Sequence, residues 1–133
     1  ALTSQSVGPK ILWLRRNRPE IFAKTHKILT CSSFLVHRLT GKFVIDHYTA
    51  ANFAPIYSAG QLQWSNQLTD QIIDLDCLPD LHWTTDIAGT VTAKAAAETG
   101  LAVGTPVTCG TIDAAADNEE VIDHSAASIS VSV

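Results

Sequence analysis

The segment Gly104-Thr105-Pro106-Val107-Thr108-Cys109-Gly110-Thr111-Ile112-Asp113-Ala114-Ala115-Ala116 constrains the fold more than any other part of the sequence. Gly104 and Pro106 punctuate its entry, and the β-branched pair Val107 and Thr108 favours an extended run. Gly110 permits either a backbone geometry that a Cβ would strain or the close approach of a ligand. Ala114 to Ala116 are small and helix-favouring, which puts Asp113 at or near a helix N-cap. A turn, a short strand, a second turn with an acid and a helix start therefore follow one another. That order delivers a carboxylate to the carboxyl end of a strand, where α/β sheets bind ligands. A plain capping Asp, worth about 0.5–2 kcal/mol, is the simpler reading of the same residue.

Local signals place further elements upstream. Gly8-Pro9-Lys10 begins a helix with Pro9 in its first turn, and Ile11, Trp13 and Leu14 form its apolar stripe, with Trp13 read as core. Pro19 opens a second short helix. Ile28-Leu29-Thr30 reads as extended, and Ser32 or Ser33 caps a helix through Leu39 that Gly41 terminates. His37, between apolar neighbours and an Arg, reads as a partly buried, hydrogen-bonded histidine. Asp46 is a plausible N-cap for the helix that follows. The adjacent Asp46-His47 pair points in two directions on a helix, so a shared metal ion is disfavoured against a cap, with lining of a cleft as the alternative.

Ser65 caps an amphipathic helix bearing Leu68, Ile72, Ile73 and Leu75, and Leu78 to Leu81 form a turn or 3₁₀ piece. Trp64 and Trp83 read as anchors for loop packing. Ile87 to Val91 is a short strand, Thr92 caps a helix over Ala93 to Thr99, and Gly100 closes it. Ser128 to Val133 alternates polar and apolar residues as a half-buried strand does.

Composition matters chiefly for what it excludes. With 46% hydrophobic and 17% charged residues in 133, the chain has enough apolar material for a core. Net charge is −4, and the basic residues crowd the first third without forming a block, which excludes a nucleic-acid footprint. Cys31, Cys77 and Cys109 are far apart and form no CxxC pair, so neither a disulfide framework nor a zinc site is expected, and a reducing cytoplasm suits them. No apolar run reaches membrane-spanning length. A soluble, cytoplasmic chain without a membrane or nucleic-acid partner is the expectation. No GxSxG elbow, P-loop or protein-kinase glycine loop occurs.

Several segments resemble one family in order. Gly104-Thr105-Pro106-Val107, then Gly110 and Asp113-Ala114-Ala115-Ala116, resemble the catalytic segment of the FGGY carbohydrate kinases. Lys10-Ile11-Leu12-Trp13-Leu14, Asn17 and Pro19-Glu20-Ile21-Phe22 resemble that family's first signature, with Val7 in place of its usual polar or small residue. Leu39-Thr40-Gly41 followed by Phe43 and Asp46, the Trp64-helix-Leu78-Pro79 order, and Gly89-Thr90-Val91 are similar to later family segments. The resemblance covers Pro9 to Ala116.

The resemblance implies an α/β fold, specifically a fragment of a ribonuclease H-like (actin-type ATPase) domain with a helical insertion. Residues 1–133 would be the central part of the kinase's N-terminal domain. Residues 1–86 would be mostly helical insertion, and 87–133 a strand-helix-strand return to the core sheet. The implied activity is ATP-dependent phosphorylation of a sugar or polyol hydroxyl, with ATP and Mg²⁺ as cofactors and no dedicated protein metal site. Asp113 would be the catalytic base and contact the substrate, Gln5 would be a further substrate contact, and Gly110 and Thr111 would lie near the nucleotide. Implied partners are the sugar or polyol and the kinase's remaining segments, an N-terminal phosphate hairpin and a C-terminal lobe, with a homo-oligomer compatible. On that view the chain alone is inactive. Asp117-Asn118-Glu119-Glu120 departs from the family pattern, and its acids would repel phosphates if they faced the cleft. The rival expectation is a non-catalytic α/β module that shares only the architecture.

Overall fold

A computed structural model describes residues 2–116. The acidic run Asp117 to Glu120 and the strand expected over Ser128 to Val133 lie outside the described residues.

Helix α1 (Val7–Asn17) carries Pro9 in its first turn and buries Ile11, which belongs to the larger of two cores. Trp13 does not share that face and is 59% exposed. Two residues correspond to about 200° around a helix, so a buried Ile11 turns Trp13 outward, and the expectation of a core tryptophan fails for that reason. Gly8 lies against the chain after the 3₁₀ turn Ala51–Phe53, where a Cβ would come 2.5 Å from the Ala54 carbonyl oxygen and 2.8 Å from Pro55 Cδ. Helix α2 (Pro19–Phe22) follows at once, and Arg15 places its guanidinium 5.6 Å from the Phe22 ring centroid.

Helix α3 (Cys31–Thr40) starts earlier than its apolar run suggests. Thr30, not Ser32 or Ser33, is the N-cap: its Oγ1 accepts from Ser33 N at 3.4 Å, and both serines lie inside the helix. The preceding Ile28-Leu29-Thr30 forms no strand, although Ile28 N donates to the Cys77 carbonyl at 2.9 Å. At the other end Gly41 adopts φ +76° and its N–H closes on His37 O. This is the left-handed cap that glycine makes without strain. His37 stacks on Phe43 with centroids 4.1 Å apart, while its Nδ1 is buried without a hydrogen-bond partner. Ring stacking, rather than the expected hydrogen bond at that nitrogen, accounts for its place.

Strand β1 (Val44–Asp46) runs parallel to β4 (Asp80–His82), pairing Val44 with Asp80, Ile45 with Leu81 and Asp46 with His82. Residues 78–81 therefore lead into a strand, and the 3₁₀ turn comes earlier, at Leu75–Cys77. Between them lie α4 (His47–Ala50), the antiparallel pair β2 (Tyr57–Ser58) and β3 (Gln63–Trp64), and α5 (Asn66–Ile72). Trp64 fulfils the anchoring expectation: its Nε1 donates to Pro79 O at 2.9 Å, and its ring meets Phe53 and Tyr57 edge-on.

The chain then forms β5 (Ile87–Thr90), α6 (Ala93–Thr99), β6 (Pro106–Thr108) and α7 (Asp113–Ala116). Thr92 caps α6 by accepting from Ala95 N at 3.2 Å, and Gly100 ends it at φ +80°. Both are the local devices their residue types favour. Strands β5 and β6 pair antiparallel, with a register shift between Ile87 and Gly89. A Cβ at Gly89 would stand 3.1 Å from Thr40 Cβ, so the ribbon lies tightly against the end of α3.

Strand β1 divides two cores. Successive side chains on a strand point to opposite faces. Ile45 enters the larger core with Phe53, Ile56, Ile73 and Leu78, whereas Val44 enters a smaller one with Val36 and Cys109. Asp46 shares the Val44 side, and that parity decides what it can reach.

Candidate active site

The approach to Asp113 is fixed from both sides. Cys109, buried after β6, donates its N–H to Asp86 O at 3.0 Å. Gly110 then turns at φ +70°, and the nearest atom to a Cβ placed there would be Ser32 Cβ at 3.9 Å. Left-handed backbone, not crowding, is what requires glycine at this position. Ile112 O accepts from Ala115 N at 3.1 Å and Ala116 N at 3.0 Å, so Ile112 holds the capping position and α7 opens on Asp113 itself. Asp113 is exposed in the first turn, where a carboxylate is favoured by the helix dipole. It is neither sealed under packed side chains nor the formal cap.

Thr111 points inward. Its Oγ1 donates to Asp46 Oδ2 at 2.8 Å, across 65 residues of sequence. Asp46 is 1% exposed and is the expected cap of α4, accepting from Tyr48 N at 3.1 Å and from Thr49 N at 3.3 Å. Thr84 Oγ1 also reaches Oδ2, at 3.3 Å. The loop carrying Asp113 is thus tied to the carboxyl ends of β1 and β4. The structure brings together Gly110, Thr111, Asp113 and Asp46, the last expected chiefly as a cap. Its capping signal is legible in sequence, but its bond to Thr111 needs the fold. Gln5 lies in an exposed turn ahead of α1, with its N–H donating to Thr3 Oγ1 at 3.2 Å, and belongs to the α1 side of the molecule.

An aromatic and polar rim surrounds the same strand ends. Trp83, partly exposed, lies with its ring centroid 4.6 Å from that of His47, and His47 Nδ1 is 2.9 Å from Tyr57 Oη. Asp86 Oδ2 accepts from Trp83 N at 2.8 Å and lies 3.6 Å from His82 Nδ1. Trp83 thus packs on His47 as a loop anchor while leaving part of its ring in solvent. Burial holds the His47 pKa below its usual value, with Asp46 and Asp86 opposing that shift. Burial raises the Tyr57 phenol, assisted by Asp46. It also pushes the Cys109 thiol up to about 12, with Asp86 and Asp46 adding to the effect. This thiol is therefore inert at neutral pH.

Among the described residues no group of three or more His, Cys, Asp or Glu side chains could hold a metal ion, and the Thr111 hydroxyl is engaged with Asp46. A separate groove, about 820 Å³ and lined by residues such as His26, Phe34, Leu35 and Phe43, contains none of the candidate residues. Among the described residues no helix is long and apolar enough to cross a membrane.

Comparison with known proteins identifies the relatives of this arrangement. Residues 2–118 match the model of the FGGY family of carbohydrate kinases, N-terminal domain. The chain is 36% identical over 109 residues to xylulose kinase of Lactococcus lactis, covering 81% of this chain and 22% of that one. It is 32% identical over 105 residues to autoinducer-2 kinase of Yersinia pestis, covering 79% and 20%. The crystal structure of xylulose kinase from Rhodospirillum rubrum superposes with a TM-score of 0.78 at 30% identity, over 86% of this chain and 23% of that one. The chain thus spans about a fifth of the length of these curated relatives. Its α/β fold is that of part of an actin-like sugar-kinase domain. The matching family model, the relatives and the shared fold agree: the chain belongs to the FGGY family of carbohydrate kinases.

Proposed function

We propose that this chain provides the acceptor side of an ATP-dependent kinase for a sugar or polyol, with Asp113 as the base. The attacking hydroxyl oxygen bonds to the γ-phosphorus while the bond from that phosphorus to the β–γ bridging oxygen breaks, releasing ADP. Asp113 takes the hydroxyl proton as the transfer proceeds. Positioning and charge neutralisation supply most of the rate in phosphoryl transfer, and a base adds typically about 10²–10⁴-fold. The observation that carries this reading is an exposed Asp113 at the first turn of α7, on a loop anchored by the Thr111–Asp46 bond. Family membership supports ATP as phosphoryl donor. A Mg²⁺ ion bound with the nucleotide would supply charge neutralisation of the triphosphate and would need few protein ligands.

On this reading the chain is the central part of the N-terminal domain, with residues 1–86 as its mostly helical insertion and the return toward the core sheet beginning at Ile87. Gly110 and Thr111 stand on the nucleotide side of Asp113, with Thr111 acting through its backbone because its hydroxyl is bound to Asp46. Gln5 is a secondary substrate contact, on the expectation that the remaining segments of the kinase bring the cleft to it. The enzyme works in the cytoplasm, where ATP and phosphorylatable sugars meet.

The test uses a full-length kinase that contains this chain within its N-terminal domain. Asp113→Asn should leave folding nearly intact and lower sugar-dependent ADP release by roughly 10²–10⁴-fold. Unchanged turnover in that variant would leave only the architectural likeness.

A further inference from the structure

We infer that Asp46 is a positioning residue for Asp113, acting through Thr111; the inference rests on the reading of Asp113 as the base. Capping α4 does not require what Asp46 provides. A cap needs one side-chain oxygen to accept from backbone N–H groups, and Ser, Thr or Asn would serve. Asp46 instead presents two acceptor oxygens, and Oδ2 receives Thr111 Oγ1 at 2.8 Å, Tyr48 N at 3.1 Å and Thr84 Oγ1 at 3.3 Å. The contact to Thr111 is the shortest of these. It joins the end of β1 to the loop two residues before the proposed base.

The backbone restraints on that loop lie at its ends. Cys109 is tied to Asp86 O, Gly110 turns through left-handed backbone, and Ile112 O is occupied inside α7. Between Gly110 and α7, Thr111 carries a side-chain bond to the scaffold. Its partner is 1% exposed, so the bond is shielded from competing water. The strand parity that sends Val44 toward Cys109 sends Asp46 toward Thr111. A site built on a strand end is more exact than one left to its loop, and here the strand's exactness reaches the loop through one hydroxyl.

The experiment has two arms. In this chain, amide exchange at Ala115 and Ala116 is measured against Ala96 in α6 as internal control. Thr111→Val should speed exchange at the first two by about tenfold and leave Ala96 unchanged, as expected for loss of a hydrogen bond to a charged group. Thr111→Ser should restore the original rates. In the full-length kinase, Thr111→Val should lower kcat about tenfold or more with the KM values for sugar and ATP within about twofold, and Thr111→Ser should recover the activity. The pair Asp46→Asn and Thr111→Val should be non-additive, the double variant being no worse than the poorer single one. Because Asp46→Asn can compromise folding, Thr111→Val carries the decision.

Unchanged exchange and kcat in Thr111→Val overturns the inference, as does altered exchange with wild-type kcat. Activity retained in Asp113→Asn overturns the base and the positioning role with it. The exchange arm then still reports whether Thr111 anchors the loop, which separates the two failures.

Discussion

The two cores on either side of β1 differ in kind. The larger, with Ile11, Ile45, Phe53, Ile56, Tyr57, Ile73 and Leu78, is enclosed by α1, α5, the 3₁₀ turns and the β2–β3 pair. The smaller contains Val36, Val44 and Cys109, and beside it Ile87 of β5 is 58% exposed and Val103, in the turn before β6, is 65% exposed. Stability therefore resides on one side of β1 and the candidate chemistry on the other. The thinner side gains definition from directed polar bonds: Asp46 with Thr84 and Thr111, and Thr92 capping α6. Apolar packing supplies free energy without direction, whereas a buried carboxylate with several donors fixes geometry.

That contrast can be broken most forcefully at Phe53, which is fully buried. Phe53→Ala should cost about 3–5 kcal/mol in denaturant unfolding. If β1 makes the two cores one cooperative unit, amide protection should fall in α6 as well as α5. Loss confined to α5 would show that the ribbon side stands alone. Gly8→Ala should be next, at about 1–3 kcal/mol in the same assay. The new methyl would press on the Ala54 carbonyl. Thr92→Ala removes only the cap of α6, whose bond to Ala95 N lies on the ribbon side. Its cost should be about 0.5–2 kcal/mol, felt mainly on that side.

pH sharpens the comparison further. Cys109 has its folded pKa raised from 9.0 to about 12, so its contribution to stability is complete below pH 9 and declines as pH rises toward 12. Cys109→Ala should remove that alkaline component of the unfolding profile. At neutral pH iodoacetamide should label exposed Cys31 in the native chain and Cys109 only after denaturation. His47 has a lowered folded pKa, so its contribution is present above pH 6.5 and is lost as pH falls below that value. The smallest effect belongs to the exposed Arg38–Glu98 pair at 2.9 Å. Glu98→Gln should change stability by about 0.2–1 kcal/mol, diminishing with salt.

Features set by neighbouring residues are legible in the sequence. Gly41 and Gly100 terminate helices, and Asp46 and Thr92 cap them, because each signal acts within a turn of chain. What depends on distant partners is not. The β1–β4 pair consists of three-residue strands far apart in sequence, too short to show a period, and so the expected mostly helical stretch contains a parallel pair. Hydrophobicity alone assigns Trp13 to the core, although its angular distance from Ile11 argues otherwise. At the site, glycine, acid and small residues announce the turn into α7. The destination of the Thr111 hydroxyl cannot be read, since nothing near position 111 names position 46 as its partner.

Gly89 has a mechanical consequence. The hydrogen in place of a side chain lets β5 rest on Thr40, and β6 is bonded to β5, so the spacing at residue 89 is passed along the ribbon to the turn before Asp113. A methyl there would stand 3.1 Å from Thr40 Cβ and 3.3 Å from Lys42 Cγ, so admitting it takes a shift of a few tenths of an ångström where the ribbon meets α3.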